Sequence, residues 1–205
     1  QNEVVKEEKR QSYDRPYGKL LKVLWENLFK VHPYKDENIG RMEDLDAATL
    51  DEFLAYFDKY YSPDNAVLIV AGDIEIEETK KLVSKYFSEV KRRPGFTRNF
   101  PKETPITETE KVTAYDKNIQ IPAVLAAYRM PGMAERDAFV LDMISTYLSD
   151  GKSSVLYKKL VDDQKQALQT QVINLGQVDY NIFAILALPL GEVKLDTLLE
   201  EIEEE

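Results

Sequence analysis

Residues 167–188 read ALQTQVINL, then GQVD, then YNIFAILAL, and this stretch decides the fold. Ala167 to Leu175 and Tyr180 to Leu188 have strand length and strand composition, and Gly176-Gln177-Val178-Asp179 between them is turn chemistry, so the stretch predicts a hairpin. Phe183 to Leu188 is continuously apolar and reads as a buried strand. Downstream, Leu195, Leu198, Leu199 and Ile202 recur at helical spacing, while Glu200, Glu201, Glu203, Glu204 and Glu205 crowd the final turn. Carboxylates there oppose the helix dipole and repel one another, which carries the expectation that the natural helix runs on and that this chain is an internal piece of a longer one.

Upstream of the hairpin, Phe139, Val140, Met143, Ile144, Tyr147 and Leu148 mark a helix that Gly151 is placed to stop. Ser153 or Ser154 then caps a short helix bearing Val155, Leu156 and Leu160. Strands are expected at Lys111 to Tyr115 and at Ile119 to Tyr128. From Lys91-Arg92-Arg93-Pro94-Gly95 through Pro101 and Pro105 the apolar pattern lapses, which predicts an extended linker.

Before the linker, Leu20, Leu21, Leu24, Trp25 and Leu28 form one helical stripe, and Leu50, Phe53, Leu54, Phe57 and Tyr61 form another. The second is opened by the capping box Thr49-Leu50-Asp51-Glu52, and both are expected to face a core. Ser62-Pro63-Asp64-Asn65 is a turn, Ala66 to Ala71 reads as a buried strand bounded by Gly72, and Leu82, Val83, Tyr86, Phe87 and Val90 mark a third helix. The class is α+β or mixed α/β, in two parts that meet at the linker.

Composition narrows the chemistry. Acidic residues outnumber basic ones 37 to 27, leaving a net charge of -10 that repels a polyanion, so nucleic acid is excluded as a natural partner. The longest apolar runs are far shorter than the ~20 residues a membrane helix requires. With no cysteine there is no disulfide, thiolate nucleophile or sulfur-ligated metal, and with one histidine no complete zinc site can be assembled from this chain alone. No G-x-S-x-G, phosphate-binding loop or dinucleotide fingerprint is present.

Among the carboxylates, Glu8 follows Val4 and Val5 by four and three positions, which puts it on or beside the face those valines would bury. A buried carboxylate needs a cation, a metal or backbone donors. The alternative is a solvated helix on which Glu7 and Glu8 alternate with Lys6, Lys9 and Arg10. His32, in His32-Pro33-Tyr34, has no second histidine at ligand spacing. Ser153 and Ser154 follow Gly151 and open a helix, where they could bind an anion or a peptide carboxylate or simply cap.

Taken in order, Glu3-Val4-Val5-Lys6-Glu7-Glu8-Lys9-Arg10, Arg15-Pro16-Tyr17-Gly18, His32-Pro33-Tyr34 with Ile39-Gly40, Tyr60-Tyr61-Ser62-Pro63-Asp64-Asn65-Ala66, Val70-Ala71-Gly72-Asp73 and Gly151-Lys152-Ser153-Ser154-Val155-Leu156-Tyr157 resemble the pitrilysin or insulinase family of zinc metallopeptidases. In that family an H-x-x-E-H motif supplies two ligands and the general base, and a glutamate on a later helix completes the zinc site. H-x-x-E-H does not occur here. The family pattern V-V-x-x-E falls on Val4, Val5 and Glu8, so the resemblance implies Glu8 as the third zinc ligand, with Glu7 as its one-residue alternative.

The resemblance further implies an α+β fold of two partial metallopeptidase-type domains, each with a mainly antiparallel sheet against helices: 1–92 the second half of one, 93–110 a linker and 111–205 the first half of the next. Gly151 to Leu156 matches the family's G-x-S-S-R-L, with Val155 in place of Arg, and makes Ser153 and Ser154 substrate-binding candidates. The implied parent holds zinc, which this piece would not bind stably by itself. It cleaves short or unfolded peptides between homologous halves, in a bacterial cytoplasm or periplasm, and this piece is inactive alone. A noncatalytic member that binds substrate or supports an active subunit is the alternative. Open sheet edges predict self-association.

Overall fold

In the computed structural model, which describes residues 1–93 and 96–205, the hairpin forms as its sequence dictates. Pro94 and Gly95, part of the expected linker, lie outside the described residues. The elements are α1 (Asn2–Asp14), α2 (Leu20–Leu28), α3 (Met42–Ala47), α4 (Leu50–Tyr60), α5 (Ile76–Phe87), β1 (Val124–Pro131), α6 (Arg136–Ser149), a π-helical segment Tyr157–Asp163, β2 (Ala167–Leu175), β3 (Tyr180–Pro189) and α7 (Leu195–Glu203). The fold is α+β, with one antiparallel sheet ordered β1-β3-β2 among the described residues.

The middle strand β3 is apolar on both faces because both are covered. Successive side chains of a strand point to opposite sides. Phe183, Ile185 and Ala187 pack with Leu141 and Leu148 of α6, with Leu156 and Leu160, and with Leu198 and Ile202 of α7. Ile182 and Ala184 face the other way, onto Leu24, Leu28 and Phe29. Leu24, Trp25 and Leu28 of the α2 stripe read from sequence are therefore a core face, while Leu21 is exposed. The register pairs Ala126 with Ile185 on one side of β3 and Val172 with Ile185 on the other.

Close approach requires a glycine at one corner. A Cβ built on Gly132, just after β1, would sit 2.2 Å from the Val178 carbonyl oxygen of the β2–β3 turn. That proximity lets the Met133 amide donate to the Gln177 carbonyl at 2.8 Å and ties the start of α6 to the hairpin. Gly151, with φ of 73°, follows α6 in a left-handed conformation that glycine adopts without strain.

Residues 3–39 group with 102–205 as one compact unit, and 40–101 form a second. In the second unit α4 carries the expected capping box: Thr49 Oγ1 accepts the Glu52 amide at 3.3 Å, and Glu52 Oε2 accepts the Thr49 amide at 2.8 Å. Its apolar stripe is nevertheless exposed, as are Leu82, Tyr86 and Phe87 of α5, so neither helix faces a core here. Ala66 to Ala71 is likewise not a buried strand. No described strand pairs with it, and Val67 and Ile69 are 87% and 81% exposed. An apolar run without a hydrogen-bonding neighbour has nothing to bury it.

Two further differences concern the later segments. Lys111 to Tyr115 is not a strand, and β1 begins only at Val124. Pro122, which has no amide to give to a ladder, stands just before it. The helix after Ser154 winds mostly as a π-helix, which has no signature in a hydrophobic pattern of this length.

Ile182→Ala should destabilise the chain by about 2–5 kcal/mol through the cavity it opens between two packed faces, whereas Ile69→Ala should stay within about 0.5 kcal/mol. Urea unfolding of both variants checks the contrast.

Candidate functional site

Helix α1 turns a polar stripe inward. Lys6 and Lys9 are buried, Val4 is 62% exposed and Glu8 is exposed, which overturns the expectation that the valines and Glu8 share a buried face. The reason lies in the partners. Lys9 Nζ donates to Glu37 Oε2 at 2.8 Å and sits 4.9 Å over the Tyr13 ring, and the Tyr13 hydroxyl donates to the same Glu37 oxygen. Lys6 Nζ pairs with Glu3 at 2.8 Å. Lysine stems bury their methylenes while the heads stay paired, so a charged stripe can face inward when a carboxylate waits there.

The same contacts set the titration directions. Burial pulls the Lys9 ammonium down, but Glu37 and Tyr13 outweigh it and hold it above the ordinary lysine value. Burial first, and Glu37 second, push the Tyr13 phenol up. At roughly 100° per residue, Glu8 lies about 160° round the helix from Lys6, about 140° from Tyr13 and about 100° from Lys9, on a separate, exposed face. Glu7, the one-residue alternative, is engaged by Arg10 Nη1 and Gln11 Nε2, each at 3.3 Å. Glu8 has no such partner among the described residues.

Whether these residues fit a zinc ion has a divided answer. Glu8 offers one free oxygen donor, but no group of three or more His, Asp or Glu among the described residues could hold a metal. His32 does not extend the donor set. It is 2% exposed, its Nδ1 accepts the Tyr34 amide at 3.2 Å, and its Nε2 lies 3.3 Å from Asp179 Oδ2. The described residues therefore do not make a zinc site by themselves.

Ser153 and Ser154 part company. Ser153 is exposed, whereas Ser154 is buried and its hydroxyl donates to the Gly151 carbonyl at 2.8 Å. It does not accept from the following helix, so the expected cap is absent. Lys159, on the π-helical segment, contacts Glu205, Glu201 and Glu204 at 3.0, 3.1 and 3.4 Å. Glu205 first, then burial in the opposite sense, then Glu201 and Glu204 act on the ammonium, with a net shift upward.

The residues that sequence reasoning missed are Glu103 and Arg129. Glu103 Oε1 accepts three consecutive amides, from Lys30, Val31 and His32, at 2.8, 2.8 and 2.7 Å. Its amide donates to the Tyr180 hydroxyl at 2.9 Å. Arg129 Nη1 lies 3.4 Å from Glu103 Oε2 and donates to the Leu28 carbonyl at 2.6 Å, where a cation suits the C-terminal end of α2. Burial alone would raise the Glu103 carboxyl, but the three amides and Arg129 hold it below the usual range. Two signals were available: an arginine inside the apolar strand β1, and a glutamate between Pro101 and Pro105.

A family model described as the peptidase M16 inactive domain matches residues 47–205, more than half of the sequence, and the chain belongs to that family. Among individual proteins it is similar to the zinc protease PqqE of Helicobacter pylori, 29% identical over 205 residues that cover 98% of this chain and 46% of the relative. The crystal structure of a protease from Helicobacter pylori superposes with a TM-score of 0.83 at 28% identity, covering 99% of this chain and 50% of that one. The crystal structure of a peptidase M16 inactive domain from Pseudomonas fluorescens, at 13% identity and a TM-score of 0.76 over 98% of this chain and 50% of that one, shares the fold. The chain thus spans about half the length of such relatives. No helix among the described residues is long and apolar enough to cross a membrane.

Because the folded Glu103 carboxyl is held low, its contribution is present above the ordinary glutamate value of about 4.3 and is lost as pH falls through the folded value. Glu103→Gln should cost about 3–5 kcal/mol at pH 7, with the gap from the parent chain closing toward pH 3. Denaturant unfolding at the two pH values measures it.

Proposed function

We propose that this chain is part of a zinc-dependent M16 endopeptidase to which it contributes Glu8 as a metal ligand, and that it has no peptidase activity by itself. The observation that carries the reading is the pair Glu7 and Glu8: the first carboxylate is engaged along its own helix, while the second is exposed and unpaired. Lys9, Glu37 and Tyr13 pin a different face of α1 and so fix the direction in which Glu8 is presented. Zinc, when bound, supplies polarisation of a scissile carbonyl and a water of lowered pKa. The remaining ligands and the general base would come from outside this 205-residue sequence, since it holds a single, buried histidine.

The substrate of the whole protein in this reading is a short or unfolded peptide held between homologous halves. Ser153, exposed after Gly151, is the better placed of the two serines to meet a peptide, because the Ser154 proton is committed to a backbone carbonyl. Residues 1–92 and 111–205 are read as halves of two homologous domains joined by 93–110. The exposed apolar faces of α4, α5 and the Ala66 to Ala71 run support association of the isolated chain with itself or with a homologous half.

A second reading is favoured by the matched family's description as an inactive domain: a noncatalytic partner of an active subunit. Metal analysis and peptide cleavage on the intact protein separate the two. The first reading expects bound zinc, activity toward an unfolded peptide, and at least a tenfold loss of both in Glu8→Gln. A metal-free intact protein that forms a stable complex with an active homologue supports the second. Light scattering on the 205-residue chain should give a mass above the monomer's, rising with concentration.

A further inference from the structure

The contacts of Glu103 have the form of a receptor and its ligand. The receptor is made by one part of the chain: Lys30, Val31 and His32 present consecutive amides just beyond the C-terminal end of α2, and Arg129 reaches in from β1. The ligand comes from another part, 71 to 73 residues further on, in a segment with no helix or strand. Concave runs of backbone amides bind anions, and a guanidinium beside them adds a charge of the complementary sign. Here both oxygens of a carboxylate are recognised separately, Oε1 by the amides and Oε2 by Arg129 at 3.4 Å.

Around this pocket the walls are aromatic. The Arg129 guanidinium lies 5.9 Å from the Phe29 ring centroid and 5.6 Å from that of Tyr180, and Phe29 stacks on Trp25 at 5.5 Å. The Glu103 side chain is 2% exposed, so the exchange is between a dry site and water. Lys102 and Thr104 on either side are exposed, which leaves the segment hanging by its single acidic side chain and the backbone bonds at its flanks. Those flanking bonds run to the same receptor: the Glu103 amide to Tyr180, and the Thr104 carbonyl from Arg129 Nη2.

We propose that Lys30 to His32 and Arg129 form a carboxylate-binding site whose resident ligand is Glu103, and that residues 102–104 are thereby a latch closed by an exchangeable anion rather than by apolar packing. The site takes a carboxylate in particular. Its two recognition elements are spaced for the two oxygens of one group, and a halide would meet the amides or the guanidinium but not both.

The test is chemical rescue in the intact protein. Glu103→Ala empties the site, and formate, a carboxylate small enough to enter, is titrated at pH 7 against chloride at equal ionic strength. The latch expects a lowered thermal midpoint in Glu103→Ala, restored by at least half at saturating formate, with no formate response in the parent protein. A Glu103→Ala variant that responds to formate no more than to chloride overturns the proposal. Should Glu103→Ala fail to fold, Glu103→Gln preserves size and removes charge. Hydrogen exchange at the amides of Lys30, Val31 and His32 should then rise at least tenfold, and unchanged protection overturns the proposal equally.

Discussion

The first unit depends on the two-sided burial of β3. Because Ile182 and Ala184 face one set of helices while Phe183, Ile185 and Ala187 face another, the strand cannot slip by one residue without exchanging both cores at once. The other two strands and three helices are arranged around that strand: β1 and β2 protect its edges, α6 and α7 close one side, and α2 closes the other. The hairpin turn is drawn into the same constraint by Gly132, whose missing side chain lets the end of β1 meet the turn directly.

Polar groups then set what the apolar layers leave undetermined. An apolar face fixes that a helix packs, but its rotation can be chosen by a few buried charges with partners in one place only. In α1 that choice falls to Lys9 and Tyr13, with Glu37 as the anchor. At the end of α2, Arg129 takes the last carbonyl and Glu103 the amides that follow, so the chain leaves the helix in a defined direction without a glycine. The dominance of burial in the interior and of paired charge at its margin is the same rule seen from two sides.

Much of this was legible in the residues. The hairpin, α2 and α7 follow from periodicity because each has a partner within the chain, and the Thr49 box forms because a cap is local. The helix α6 forms as read but packs through Leu141 and Leu148, leaving Phe139, Met143 and Tyr147 of its apolar set exposed. What failed had non-local causes. Ala66 to Ala71 has the composition of a strand, but a strand is a property of a pair, and no pairing segment is present among the described residues. Glu8 is exposed, as the solvated alternative has it, but Lys6 and Lys9 are not, because Glu37, nearly thirty residues on, meets the lysine side of the helix. The family itself was readable from ordered short motifs, and the matched family model bears it out. The pocket of Glu103 escaped because segments far apart in sequence build it.

The bare run from Ala66 to Ala71 has a consequence for how the polypeptide must be made. Six uncharged residues of high strand propensity, apolar on both faces, are the composition that seeds stacking of like chains. Its neighbours work against that outcome: Asp64 ahead, held by Arg92 at 2.8 Å, and Asp73 behind, bracket the run with charge in the manner of gatekeepers. Among the described residues no strand covers the run, so these flanks carry the burden of solubility from the moment it emerges during synthesis.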